Sequence, residues 1–386
     1  MKKKLTALML FCILLICPGM AFSEVDEAIK NQIEDKLWEY DLSIWQEAAD
    51  SFSAQTRMLW DGLSMREWML NFIGGEWAKN DESAPLGIVK EMLLPALRGN
   101  LAMIGTMLGA ALFSGMIALL FEGEKGLRDI LLLICSGMVI SASAAYYLRL
   151  IAAAGDTMRQ LSGFAEKTTP VLSVMLAATG NLGSAGMLQP LLAFLCGSVM
   201  TYFTNLALPL LSAAGLLSVA GSLAGRGEMQ RFAKLIKSFC KWSTGLIFTT
   251  FLGAVSLRGM SAAGADSIAL RTAKYTLDKS IPVVGGAVSG TLDTVRGCAE
   301  LIKNAAGAAT MITTIAYVLE PAIQIAAASM ILRISAALCA PLAEGSLVKM
   351  LEELGELCGF ILAAVLSCAM MFMILAGLCI AAGSLR

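Results

Sequence analysis

Few residues in this chain are equipped for chemistry. Its 386 residues include no histidine, which removes the usual general base, the usual proton relay near neutral pH and the commonest metal ligand. Of ten cysteines, Cys12 and Cys17 lie in an apolar N-terminal run, and the other eight stand singly among Leu, Ala, Met and Gly. That is the pattern of small core residues, not of a metal or redox site. No phosphate-cradling loop ending in Gly-Lys-Ser/Thr occurs, and "GAVSG" at 286–290 lacks both a base and the context of a nucleophile elbow. No catalytic activity, cofactor or metal is expected.

What remains is polar and charged material in apolar surroundings, where such residues default to functional hypotheses. Arg333 sits inside "PAIQIAAASMILRISAALCAP". It has two readings: pairing with Glu320, Glu344 or Asp293 from a neighbouring helix beside a watery path, or snorkelling from a shorter or tilted segment. The second feature is "SIPVVGGAVSGTLDTVR", Ser280 to Arg296, too polar for lipid and too apolar for a loop. On a helix, Val284, Val288, Leu292 and Val295 fall on one side and Gly286, Ser289, Gly290, Asp293 and Gly297 on another. Ser280 fits an N-cap and Pro282 a first turn, while Arg296 is spaced to pair with Asp293 or Glu300. Pro282, Gly285, Gly286, Ser289, Gly290, Asp293, Arg296 and Arg333 are thus the candidate pore or helix-packing residues. Whether the small, polar edge faces another backbone or lines a polar conduit is open at this level.

The elements that must position these residues are membrane helices. Hydrophobic residues make up 57% of the chain and charged ones 15%, and the mean hydropathy is +0.72; a soluble domain of this size does not look like that. The fold class is all-α: a polytopic helical membrane protein with a cleavable signal peptide and a small extracytoplasmic helical N-terminal segment. Residues 1–23 read as the signal peptide, with three lysines, an apolar core, a "PG" break and cleavage expected before Glu24.

Residues 24–84 are acidic and rich in tryptophan (Trp38, Trp45, Trp60, Trp68, Trp77), with apolar positions at helical spacing. The tryptophans suit a small core or a rest on the membrane interface, with a partner-docking face as the alternative. The excess of acid argues against nucleic acid as a partner. Residues 85–386 form the multi-pass domain of five to eight crossings. The candidate segments are Leu93–Phe121, Ile130–Ala153, Met187–Leu208, Leu210–Ala224, Thr244–Gly264, Ala308–Leu319, Ala322–Ala340 and Cys358–Ala382. Breaks are expected at Ala178–Gly186 and around Asn205 and Pro209.

Amphipathic helices are expected near 226–242 and 344–357. The first, with Arg226, Arg231, Lys234, Lys237 and Lys241, is assigned to the cytoplasmic side by the positive-inside bias, with Phe232, Leu235, Ile236 and Phe239 turned to the membrane surface. The second is acidic, and both would also serve as solvated connectors. Glycines four apart (Gly105 and Gly109, Gly221 and Gly225, Gly286 and Gly290) fit close helix packing.

The string "KYTLDKSIPVVGGAVSGTLDTVRGCAELIKNAAG", Lys274 to Gly307, with its "IPVVGG" core, the "DTV" after it and the "KNxxG" element at Lys303 to Gly307, resembles the central segment of the stage III sporulation protein AE family of endospore formers. The leader, acidic segment and polytopic body agree in layout. The resemblance implies a multi-pass protein of the mother-cell membrane that surrounds the forespore, a member of a channel or secretion-like complex between the two cells; the structural, pore-forming role is read from the residues, which offer no ATP motif, no catalytic set and a compact small-residue membrane body. It further implies other stage III sporulation membrane proteins and a forespore-side partner as companions; the missing nucleotide motif places the energy source in a companion ATPase, and the small-residue spacings leave room for a homo-oligomer. It assigns no catalytic residue. The alternative is a self-contained small-solute permease with a site built from Arg333, Asp293 and the broken segments.

Overall fold

Two long helices, α7 (Gly285–Cys339) and α8 (Gly345–Ala381), form the spine of the molecule. The computed structural model describes residues 41–60, 62–74, 125–181, 194–224, 227–280, 285–340 and 345–382, with isolated positions elsewhere and helical backbone alone within 257–294. Every element of the described residues is helical. The first three are α1 (Ser43–Ser51), α2 (Ala54–Arg57) and α3 (Met65–Ile73). Long helices follow: α4 (Lys125–Ala178), α5 (Leu208–Leu223) and α6 (Gly227–Ser280).

Helices α7 and α8 run antiparallel. Lys303 meets Ile380 at one end, and the Ser329 hydroxyl donates to the Gly355 carbonyl at 2.8 Å towards the other. Small residues at the seam (Ala305, Ala306, Ala309, Ala328, Ala364, Ala376) are buried, so the backbones come close and dispersion replaces the hydrophobic term that lipid cannot supply. Helix α4 packs on the pair through Phe164, whose ring lies 5.9 Å from Phe372 and 5.5 Å from Tyr317. Helix α5 lies against α4, where the Tyr147 hydroxyl donates to the Leu211 carbonyl at 2.6 Å.

Several segments that read as separate crossings are continuous. Ala308–Leu319 and Ala322–Ala340 belong to one helix, α7, with Pro321 inside it. The proline removes one hydrogen bond and strains one turn, yet buried neighbours on both sides (Ile325, Val318) hold the path straight enough to continue. Ile130–Ala153 likewise extends through Pro170 to Ala178. The expected break at Ala178–Gly186 begins where α4 ends: Gly180 takes φ +83°, a left-handed turn suited to glycine. Asn181 donates to the Thr179 hydroxyl at 2.8 Å, which itself donates to the Leu176 carbonyl at 2.7 Å.

Around Asn205 and Pro209 the chain does not stop. Two π-helical turns, Leu195–Met200 and Phe203–Ala207, lead into α5, and the Leu208 N–H reaches back five residues to the Phe203 carbonyl. A proline two residues into α5 has no N–H to give, and the widened turn upstream is how a helix takes up such a mismatch. Met187–Leu208 and Leu210–Ala224 therefore merge over their described part. The basic segment 226–242 is not a separate surface helix: it is the first third of α6. The acidic segment 344–357 is the start of α8.

Among the described residues, four helical stretches are able by length and composition to cross a membrane: Ile134–Ala178, Gly197–Ser222, Val295–Cys339 and Leu347–Ala381. Leu93–Phe121 lies outside the described residues apart from isolated helical positions, and the side chains of Thr244–Gly264 are described only to Ser256.

Candidate functional site

The "KNxxG" element has a concrete structural task. Lys303 lies on α7 with no exposed surface. Its ammonium donates to the Ile380 carbonyl at 3.1 Å and also to the Ala382 carbonyl. Those carbonyls belong to the last turn of α8, where the helix has no N–H donors of its own and carries the negative end of its dipole. The lysine thus caps a neighbouring helix. One turn on, Gly307 faces Ile380: a Cβ there would stand 2.5 Å from Ile380 Cγ1. Lysine and glycine act together, the one fixing the end of α8 and the other letting it come close. Beside them the Asn304 Oδ1 is shut from solvent with no hydrogen-bond partner among the described residues.

The N-terminal helices dock immediately beyond. The Trp45 indole donates to the Thr310 hydroxyl at 3.0 Å, and Thr310 donates to the Ala306 carbonyl at 2.8 Å. Phe52 stacks on Trp60 with centroids 5.6 Å apart and meets Tyr317 edge-on at 4.6 Å. A chain of rings therefore runs from Trp60 through Phe52, Tyr317 and Phe164 to Phe372, joining the N-terminal helices to α7, α4 and α8. Trp45, Trp60 and Trp68 are buried, so these tryptophans are core; Trp38 and Trp77 lie outside the described residues. An S-x-x-E capping box starts α3: the Ser64 hydroxyl accepts from the Glu67 N–H at 3.3 Å, and Glu67 Oε2 accepts from the Ser64 N–H at 2.9 Å. The carboxyl of Glu67 is held below its ordinary range by the Ser64 N–H and then by the Ser64 hydroxyl.

At the opposite end of the α7–α8 pair the charges are open to solvent and paired. Lys234 lies 3.4 Å from Glu353, and Lys237 pairs with Glu356; Glu353 also accepts from the Ser218 hydroxyl of α5. The basic start of α6 and the acidic start of α8, which read separately as connectors, are thus clasped together.

Arg333 belongs to this layer. It is exposed, its side chain lies over Gly355 and Gly359 of α8, and a Cβ on Gly355 would stand 2.9 Å from Arg333 Cγ. It lies six residues from the end of α7, which supports the interfacial reading over a mid-helix charge. The expected partner Glu320 is on the same helix, 13 positions earlier, about 20 Å along the axis. Glu320 itself, accepting from Gln324 Nε2 at 3.4 Å, is the carboxylate placed midway along α7. Sequence reasoning treated Glu320-Pro321 as a gap between crossings and so weighed Glu320 as a partner for Arg333 from a neighbouring helix, whereas both residues belong to α7.

Of the other predicted residues, Pro282 lies outside the described residues, and Gly285, Gly286, Ser289, Gly290 and Asp293 are described as helical backbone alone. Helix α7 begins at Gly285, while Ser280 is the last residue of α6. Ser280 is thus not the N-cap, since helices usually end at or before the residue preceding a proline. Arg296 is half-buried, and its Nε has no hydrogen-bond partner among the described residues. Among the described glycines, those that permit close approach lie elsewhere than Gly105 and Gly109, the one expected pair whose surroundings are described. They are Gly307, Gly355 and Gly215, where a Cβ would meet the Tyr147 ring at 2.1 Å; Gly105 and Gly109 have nothing within 4 Å. Among the described residues seven cysteines, including Cys358 and Cys368, are buried and form no disulfide, as befits small core residues.

Long apolar helices, an antiparallel seam of small residues and helix ends marked by charge define an all-α polytopic membrane protein. Its kinship is more specific. A family model described as stage III sporulation protein AE matches residues 63–383, and the chain belongs to that family. A relative, the stage III sporulation protein AE of Bacillus subtilis (strain 168), is 25% identical over 325 residues, 83% of this chain and 81% of that protein. No solved structure matches the chain.

Proposed function

We propose that this protein is a membrane subunit of a channel or secretion-like complex that joins mother cell and forespore during endospore development, with a structural, pore-forming role and no catalytic one. The observation that carries the reading is the family match over almost the whole helical body. The architecture fits it: side chains of neighbouring helices seat tightly on the bare backbone at Gly307, Gly355 and Gly215, which suits a scaffold more than a site that must open. In this reading the N-terminal leader directs the chain to the mother-cell membrane around the forespore. Other stage III sporulation membrane proteins and a forespore-side protein are its partners, a separate ATPase drives the complex, and copies of the chain associate with one another. The edge formed by Gly286, Ser289, Gly290 and Asp293 is its candidate lining.

Affinity capture of the tagged protein from sporulating cells is the test, with co-recovery of other stage III membrane proteins as the expected result. Recovery of the chain alone, together with solute uptake by the purified protein in liposomes, would replace this reading with a self-contained permease. Arg333→Leu sharpens it: normal protein level with normal spore yield would remove Arg333 from the working parts.

A further inference from the structure

The first turns of α6 present an apolar stripe that none of the described residues covers. Phe232, Leu235, Phe239, Trp242 and Leu246 recur at three- and four-residue steps, and each is between 49% and 66% exposed. The opposite face, Ala233 and Cys240 with Ser243, is buried against the bundle. Ile236 is half-buried and packs against the core, so the stripe is narrower than its sequence suggests.

The charges divide just as sharply around the helix. Lys237 stands beside the buried face and is held by Glu356. Arg231, Lys234 and Lys241 follow one another along the edge of the apolar stripe, all exposed. Lys234 keeps 68% of its side chain exposed even while it approaches Glu353. From Arg226 to Lys241 there are five basic residues and one acid, Glu228. This segment also lies where α5 and α7 end and α6 and α8 begin. In a bundle of membrane-crossing helices, that is where hydrocarbon gives way to headgroups.

From this arrangement we infer that the stripe is a docking surface for acidic phospholipid. Phe232, Leu235, Phe239, Trp242 and Leu246 rest on acyl chains, and Arg231 and Lys241, with Lys234 beside them, gather anionic headgroups of the leaflet at the α5–α6 connection. A neutral lipid would cover the stripe equally well but leave the basic edge unanswered. An edge of one charge next to a lipid-facing stripe selects the opposite charge. Trp242 suits the boundary, because its ring is apolar and its N–H seeks water or a headgroup.

The experiment uses the full chain in lipid nanodiscs, with brominated phosphatidylcholine or brominated phosphatidylglycerol as a minor component. The quenching lost on Trp242→Phe isolates the contribution of that indole from the other tryptophans. The expected result is stronger quenching of Trp242 by the acidic lipid than by the neutral one. That preference should fall about fivefold for each basic side chain removed in Arg231→Gln and Lys241→Gln, and should weaken in high salt. Arg231→Lys should retain it, and the wild type in high salt gives the same reading should the double variant fail to fold. Equal quenching by both lipids overturns the proposal, as does a preference that survives both substitutions. Absence of quenching by either lipid means that protein covers the stripe, which also overturns it.

Discussion

The two ends of the α7–α8 pair lie 30 residues apart along α7, about 45 Å, and they accommodate charge by opposite means. At one end Lys303 has lost all contact with water and donates to helix carbonyls. At the other, Lys234 and Lys237 meet Glu353 and Glu356 while remaining in contact with solvent. A buried ammonium is tolerated only where its hydrogen bonds are fully met, so Lys303 admits little change. Exposed pairs gain little and lose little. Rigidity is therefore expected at the Lys303 end and adaptability at the clasp.

The most severe disruption should come from reversing charge at the rigid end. Lys303→Glu places a carboxylate against the carbonyls of α8 and is expected to destabilise the protein by about 3 kcal/mol or more. Lys303→Met keeps the volume but orphans the acceptors, for a loss of about 1–3 kcal/mol. Thermal unfolding of the purified protein in detergent measures both. A Lys303→Met midpoint equal to that of the wild type would show that the cap contributes nothing.

Tight packing should rank next. Gly215→Ala forces a methyl into the Tyr147 ring, which cannot swing away without giving up its bond to the Leu211 carbonyl; overpacking of this kind costs about 1–3 kcal/mol. Gly307→Ala clashes with the Ile380 side chain, which can adjust, and meets the Ala376 carbonyl at an ordinary 3.7 Å, so it should fall below Gly215→Ala in the same unfolding assay. The reverse order would mean that α8 is held more firmly by its seam than by the Lys303 cap.

At the clasp, Glu353→Gln and Glu356→Gln should each change stability by about 1 kcal/mol or less, with the difference shrinking as salt is added. Glu353 is the less exposed of the two and also accepts from Ser218, so it should give the larger effect. A salt-insensitive loss at Glu356 would place that pair in a drier setting than its exposure indicates.

How much of this was legible in the sequence follows from which forces are local. Helical class and membrane character come from composition and run length, and the capping box at Ser64 and Glu67 is written in four consecutive residues. The long-range partners were not readable. Lys303 entered only as part of the KNxxG string that carries the resemblance, because what makes it special is the last turn of α8, 77 residues away. Pro321 and Pro209 looked like breaks, because a proline's local effect is visible and the packing that carries a helix through it is not. The glycines four apart were conspicuous, but spacing alone does not say which helix face meets a neighbour: Gly105 and Gly109 meet nothing, while among the described residues close approaches fall at Gly215, Gly307 and Gly355.

The mildest expected effect lies outside the comparison proper, at the start of α3, and serves as its control. Glu67 is fully exposed, and its folded-state carboxyl is depressed by the Ser64 N–H and hydroxyl. A depressed acid contributes stability above its unfolded pKa and loses it as pH falls through the folded one. The first turn of α3 should therefore be protected near neutral pH and fray as the pH drops below the ordinary value of 4.5. Hydrogen exchange of the peptide spanning Ser64 to Leu70, corrected for intrinsic rates, reads this directly. Glu67→Gln should abolish the pH dependence, because a neutral amide can still accept from Ser64 but no longer titrates. The carbonyl cap at Lys303 should show no change over the same acid range, since its acceptors are backbone carbonyls, which do not titrate there. Parallel fraying at both places would mean that acid loosens the whole bundle and that the cap at Ser64 is not the group responsible.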